Sequence, residues 1–154
     1  MTPTRARLIV ALVVIAAAVG WGVMTVVDAY SDSSLPVPWT APVVMAVLAV
    51  AIALWARGTR ARLAGRPGTT PMDPIVAARS AALAMAASRT GAFVGGFYLG
   101  VAIALLPSWG VAYVRERAVI SLLTVGASGL VIVAALWLEH VCRLPPDTSD
   151  DENP

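Results

Sequence analysis

A chain of 154 residues with 58% hydrophobic and only 13% charged residues carries about half the charge usual for a globular domain. At this length too much surface stays wet for so much apolar side chain to be hidden, so a soluble globular fold is excluded. The net charge of +2 averages a basic body and an acidic tail, and the lone Cys142 excludes both an intramolecular disulfide and a multi-cysteine metal site.

Arg5 and Arg7 precede Leu8–Val27, a stretch of 20 residues without a charge. That is longer than the apolar region of a removable signal, about 7–15 residues, so the stretch is expected to stay as span 1. The 28–38 loop follows, with Asp28, Asp32 and no basic residue. Its Ser31-Asp32-Ser33-Ser34 and Pro36-Val37-Pro38 runs do not continue a helix, and Thr40 ahead of Pro42 is a start signal for span 2 at 39–56. Arg57, Arg60, Arg62 and Arg66 come next, and Arg66-Pro67-Gly68-Thr69-Thr70-Pro71 breaks the chain.

Asp73-Pro74 then opens a third helix, because Asp caps free amides and proline fits the first turn. Span 3 covers 74–106, roughly 50 Å at about 1.5 Å per residue, against a bilayer core of about 30 Å. Its part before residue 90 should therefore project beyond the core and pack on protein or headgroups. Pro107-Ser108 ends it, a 107–117 loop carries Arg115 and Arg117, and span 4 is placed at 118–138. The segment 145–154 holds Pro145-Pro146 and four acidic residues with no apolar side chain, which predicts a disordered acidic tail.

The predicted fold is all-α: an integral membrane four-helix bundle within 1–144, made of two antiparallel helical hairpins. Charge sets its direction. Arg5, Arg7, Arg57, Arg60, Arg62, Arg66, Arg79, Arg89 and Arg143 fall on one side, against Arg115 and Arg117 on the other. The positive-inside rule then places both termini in the cytoplasm. Trp39, Trp109, Tyr30 and Tyr113 mark the outer interface, and Trp55 and Trp137 the inner one. Trp21 and Tyr98 fall within spans and are expected to pack against neighbouring helices.

Four features could carry function. Gly91 with Gly95, and Gly96 with Gly100, form two interleaved small-residue motifs whose spacing lets helix backbones approach closely, within the monomer or at a homo-oligomer or partner interface. Ala16, Gly20, Gly126 and Gly129 add small residues on spans 1 and 4. Arg57, Arg60, Arg62 and Arg66 set orientation and suit anionic headgroups on the cytoplasmic side. Arg89 and Glu139 fall at the inner ends of spans 3 and 4, so they either pair across the helices or Arg89 snorkels to headgroups. Arg115-Glu116-Arg117 opens the fourth helix on the outer side, where Glu116 suits the helix dipole and the arginines suit a phosphate headgroup or a partner loop.

Other chemistry finds no support in the residues. Glu139-His140-Val141-Cys142 crowds three donors at one helix end and lacks a second cluster to complete a metal site. There is no P-loop, no nucleophile with its base, and no Asp, Glu, His or Lys at mid-span of the kind that proton-coupled carriers use. No cofactor and no nucleic acid is expected.

A resemblance covers nearly the whole chain. It is carried by Met1-Thr2-Pro3-Thr4-Arg5, Leu35-Pro36, Pro38-Trp39, Asp73-Pro74, Ala77-Ala78-Arg79, Leu83-Ala84, Gly91-Ala92, Tyr98-Leu99-Gly100, Arg115-Glu116-Arg117-Ala118 and Cys142-Arg143-Leu144-Pro145-Pro146. On these residues the chain resembles a family of uncharacterised actinobacterial four-pass membrane proteins, often encoded beside folate-biosynthesis genes. None of these motifs is a catalytic signature. The expected role is a non-enzymatic accessory or scaffold subunit of the inner (cytoplasmic) membrane, with a small transport or channel component, working as an oligomer, as the alternative.

Overall fold

A computed structural model describes residues 3–30, 37–63 and 74–142. The expected tail at 145–154, Arg66 and Arg143 lie outside them. The described residues form four long helices, α1 (Pro3–Tyr30), α2 (Thr40–Leu63), α3 (Pro74–Leu105) and α4 (Ala112–Cys142), with a 3₁₀ turn at Leu106–Ser108 and no strand among them. All four are long and apolar enough to cross a membrane.

Local chemistry explains the boundaries. Thr40 begins α2 after a turn closed by the Ala41 amide on the Pro38 carbonyl, 3.2 Å away. Pro74 begins α3, where its missing N–H costs nothing. The helix then runs unbroken for 32 residues, so the segment before residue 90 is continuous with the span. That extension packs on protein: Ala84 is buried, and the Trp55 Nε1–H of α2 donates to Ser80 Oγ at 3.4 Å. Pro107 helps tighten the end of α3 into the 3₁₀ turn, whose last carbonyl-to-amide link is Ser108 to Val111 at 3.1 Å. The fourth helix starts at Ala112, six residues before the predicted span, because Ala112-Tyr113-Val114 contains no helix breaker.

The helices pack in the order α1, α3, α4, α2. The α3–α4 hairpin is thus nested between the first two helices: α3 and α4 form the central pair, while α1 and α2, expected as a hairpin, flank it and share no extensive contact. Burial follows this order, with 44% of the α3 and α4 spans buried against 17% for α1 and 28% for α2. Large apolar side chains such as Val10, Val14, Ile15, Val43, Leu130 and Val133 point outward. In lipid that costs little, and small residues make many of the contacts between helices.

Two buried clusters hold the arrangement. One joins Met45, Ala49, Ile52 and Ala56 of α2 to Ala127, Val131, Ala134 and Leu138 of α4, with Ala84 of α3 beside them. The other joins Met24 of α1, Val101 and Leu105 of α3, and Val114 and Ala118 of α4. Trp21, expected against a neighbouring helix, is instead 52% exposed. Ala16 and Gly20 occupy the face of α1 that meets α3, and Trp21 follows Gly20 by about 100° around the axis, which turns it outward. Tyr98 is half-buried and meets Phe97 edge-on, with ring centroids 5.8 Å apart.

Candidate functional site

The glycines of α3 serve two neighbours. A Cβ on Gly96 would lie 2.5 Å from the Val13 carbonyl oxygen and 2.9 Å from its Cα, and one on Gly100 would overlap the Ala17 carbonyl. Gly20 of α1 makes the reciprocal approach, where a side chain would overlap the Phe97 carbonyl. Here the backbones of α1 and α3 touch, which only glycine allows. Gly91 and Gly95 face α4 and its Ser128, Val131 and Ile132, at 3.0–3.6 Å from a would-be Cβ. All four glycines are therefore occupied by contacts within the chain. Gly126 and Gly129 differ: nothing lies within 4 Å of a Cβ there, so they take no part in the tight packing expected of span 4.

At one end of the helices, Arg89 of α3 and Glu139 of α4 line a single small pocket of about 90 Å³, together with Leu8, Ile9, Met85, Ser88 and Leu136. The antiparallel α3–α4 packing brings them there, and α1 closes the third wall. Arg57 and Arg60 are exposed on the last turns of α2, which also contains Arg62. Among the described residues, no three His, Cys, Asp or Glu side chains gather to hold a metal.

At the opposite end, Arg115-Glu116-Arg117 is split by the helix. Because α4 begins at Ala112, Arg115 closes its first turn and Glu116 and Arg117 open the second, so its first turn holds no acidic residue. The dipole contribution expected of Glu116 is therefore weak, since that effect fades beyond the first turn. Glu116 is exposed and accepts a hydrogen bond from Trp39 Nε1–H of α2, 3.4 Å away. Arg115 is exposed. Arg117 is turned inward and only 7% exposed, with Nε and Nη2 enclosed and without a hydrogen-bond acceptor. Its Cζ lies 5.7 Å from the centroid of the Tyr113 ring, one turn nearer the start of the helix.

Arg117 heads a line the sequence reading missed. Ser121, Thr124 and Ser128 follow it at helical spacings of four, three and four, on one face of α4, and all three are fully buried. The Ser121 hydroxyl donates to the Arg117 carbonyl and the Thr124 hydroxyl to the Ile120 carbonyl, both at 2.9 Å, which satisfies them within their own helix. Among the described residues, Ser128 Oγ has no partner. The signal was present as polar residues recurring at helical period in an otherwise apolar span. It was hidden because Ser and Thr are neutral and interrupt no uncharged stretch.

On its outward side, α4 forms a lateral groove with α2. The groove holds about 620 Å³ and runs from Trp39 and Pro42 past Leu122, Leu123 and Gly126 to Leu130. The model of a family described as a protein of unknown function (DUF3180) matches residues 9–146. No curated protein and no solved structure matches the chain.

Proposed function

The chain belongs to the DUF3180 family, whose description assigns no activity, and we propose that it is a non-enzymatic accessory or scaffold subunit of a cytoplasmic membrane. Both termini face the cytoplasm in this proposal, held there by nine arginines against two. The arginine-only set of cations, with abundant Ala, Val and Gly, fits a GC-rich actinobacterial source. Arg57, Arg60 and Arg62 then meet anionic headgroups on the inner side, each adding about 1 kcal/mol to surface attraction.

One observation carries the proposal. The small-residue faces of α3 are used up inside the chain, while the open flank of the α2–α4 pair presents a long apolar groove to its surroundings. A second membrane helix laid in that groove would gain dispersion contacts with Val43, Leu122 and Leu130, and Gly126 lets its backbone come close. Photocrosslinking from Val43 and Leu122 in cells tests this directly. A discrete protein adduct at both positions supports a scaffold; adducts to lipid alone remove the idea.

A transport or channel role is the second reading, favoured by the buried Arg117–Ser121–Thr124–Ser128 line. Flux of ions or small solutes into proteoliposomes above that of empty vesicles would support it over the scaffold.

A further inference from the structure

We infer that the amino-terminal turn of α4, together with the guanidinium of Arg117, is a binding site for a phosphate group. A buried guanidinium loses its water, and among the described residues Nε and Nη2 of Arg117 find no acceptor, the situation a buried cation least tolerates. Near neighbours do not relieve it. The Ser121 hydroxyl is committed to the Arg117 carbonyl rather than to its side chain, and Glu116 is on another face, bonded to Trp39. The contact with Tyr113 shows where the cation points, back toward the first turn of the helix.

That turn is itself suited to an anion. The opening N–H groups of a helix lack partners within it, the dipole is positive there, and a helix of 31 residues has the full effect. No acidic side chain of the helix's own first turn meets this positive end. A planar fork beside free backbone amides matches the oxygens of a tetrahedral phosphate, which accepts two parallel hydrogen bonds from Arg and others from the main chain. Trp39, Trp109 and Tyr113, all exposed, surround this end at the depth where amphipathic rings and headgroups meet. The phosphate comes from a phospholipid headgroup or from solution; the chemistry of recognition is the same. The site stands whether or not a protein occupies the lateral groove.

The test uses the full chain, purified in a phosphate-free maltoside detergent, as wild type, R117Q, R117K and R115Q. Each is titrated with phosphatidylglycerol, with a diacylglycerol glycoside that lacks phosphate, and with inorganic phosphate, and binding is read by native mass spectrometry and thermal midpoint. Phosphatidylglycerol should bind the wild type and weaken about tenfold or more in R117Q, with a change under about threefold in the exposed R115Q. The glycoside should not distinguish the variants. A shift of the wild-type midpoint by inorganic phosphate assigns a soluble source, and phosphatidylglycerol binding without that shift assigns the headgroup. R117K keeps the cation and guards against a folding defect; it should also bind more weakly because the fork is gone. Wild-type affinity in a folded R117Q or R117K overturns the assignment, as does a wild type that binds neither phosphatidylglycerol nor phosphate.

Discussion

Toward α1, α3 offers Gly96 and Gly100, and any Cβ there runs into the backbones of Val13 and Ala17. Toward α4 it offers Gly91 and Gly95, where a Cβ meets mainly the side chains of Ile132, Val131 and Ser128. Both pairs have the same four-residue spacing, yet the first contact is backbone on backbone and the second is backbone on side chain. Contacts at 3.0–3.3 Å are relieved by shifts of a few tenths of an ångström, whereas a Cβ 2.5 Å or less from a packed backbone forces the helices apart. The α1–α3 seam should therefore tolerate almost nothing, and the α3–α4 seam a little.

The largest expected effect follows directly. Gly100→Ala or Gly96→Ala should cost about 3 kcal/mol, the upper range for overpacking, and lower the unfolding midpoint in detergent. Gly95→Ala should cost less, about 1 kcal/mol, because its nearest contact, Ser128 Cβ at 3.0 Å, needs to give by only a few tenths of an ångström; equal losses on the two faces would erase the distinction. Ser128→Ala removes an enclosed hydroxyl that has no partner, so it should leave stability unchanged or raise it by up to about 1 kcal/mol. A clear loss would mean that this hydroxyl is bonded. The smallest effect belongs to Gly126→Ala, open on the groove, where better helix propensity should add about 0.5 kcal/mol.

These contrasts also mark what the sequence could reveal. The four spans were legible because stretches such as Leu8–Val27 and Ala118–Leu138 contain no charge, and length alone then identifies a helix that can cross a membrane. The spacing of Gly91, Gly95, Gly96 and Gly100 marked α3 as a packing helix. Which neighbour each glycine meets was not legible. Helices that are apolar all round carry no amphipathic stripe, and lipid does not reward burying Leu over Ala. For the same reason Trp21 and Gly126, both expected in contacts, turn outward. The inward turn of Arg117 follows from its phase with Ser121, Thr124 and Ser128, but which face of an all-apolar helix meets its neighbours is not written in the sequence. Arg115 and Arg117 look alike in sequence, and only the helical turn between them puts one in the open and the other inside. Arg89 and Glu139 line one pocket, and the part played there by Leu8 and Ile9 of α1 had no signal in the chain.

The most direct measurement is accessibility of single cysteines to a membrane-impermeant maleimide in intact cells, after Cys142→Ser. Substitutions at Tyr30 and Gly110 should label from outside, and those at Arg60 and His140 only after lysis. Labelling of Arg60→Cys and Gly110→Cys from the same side would contradict the four-span account.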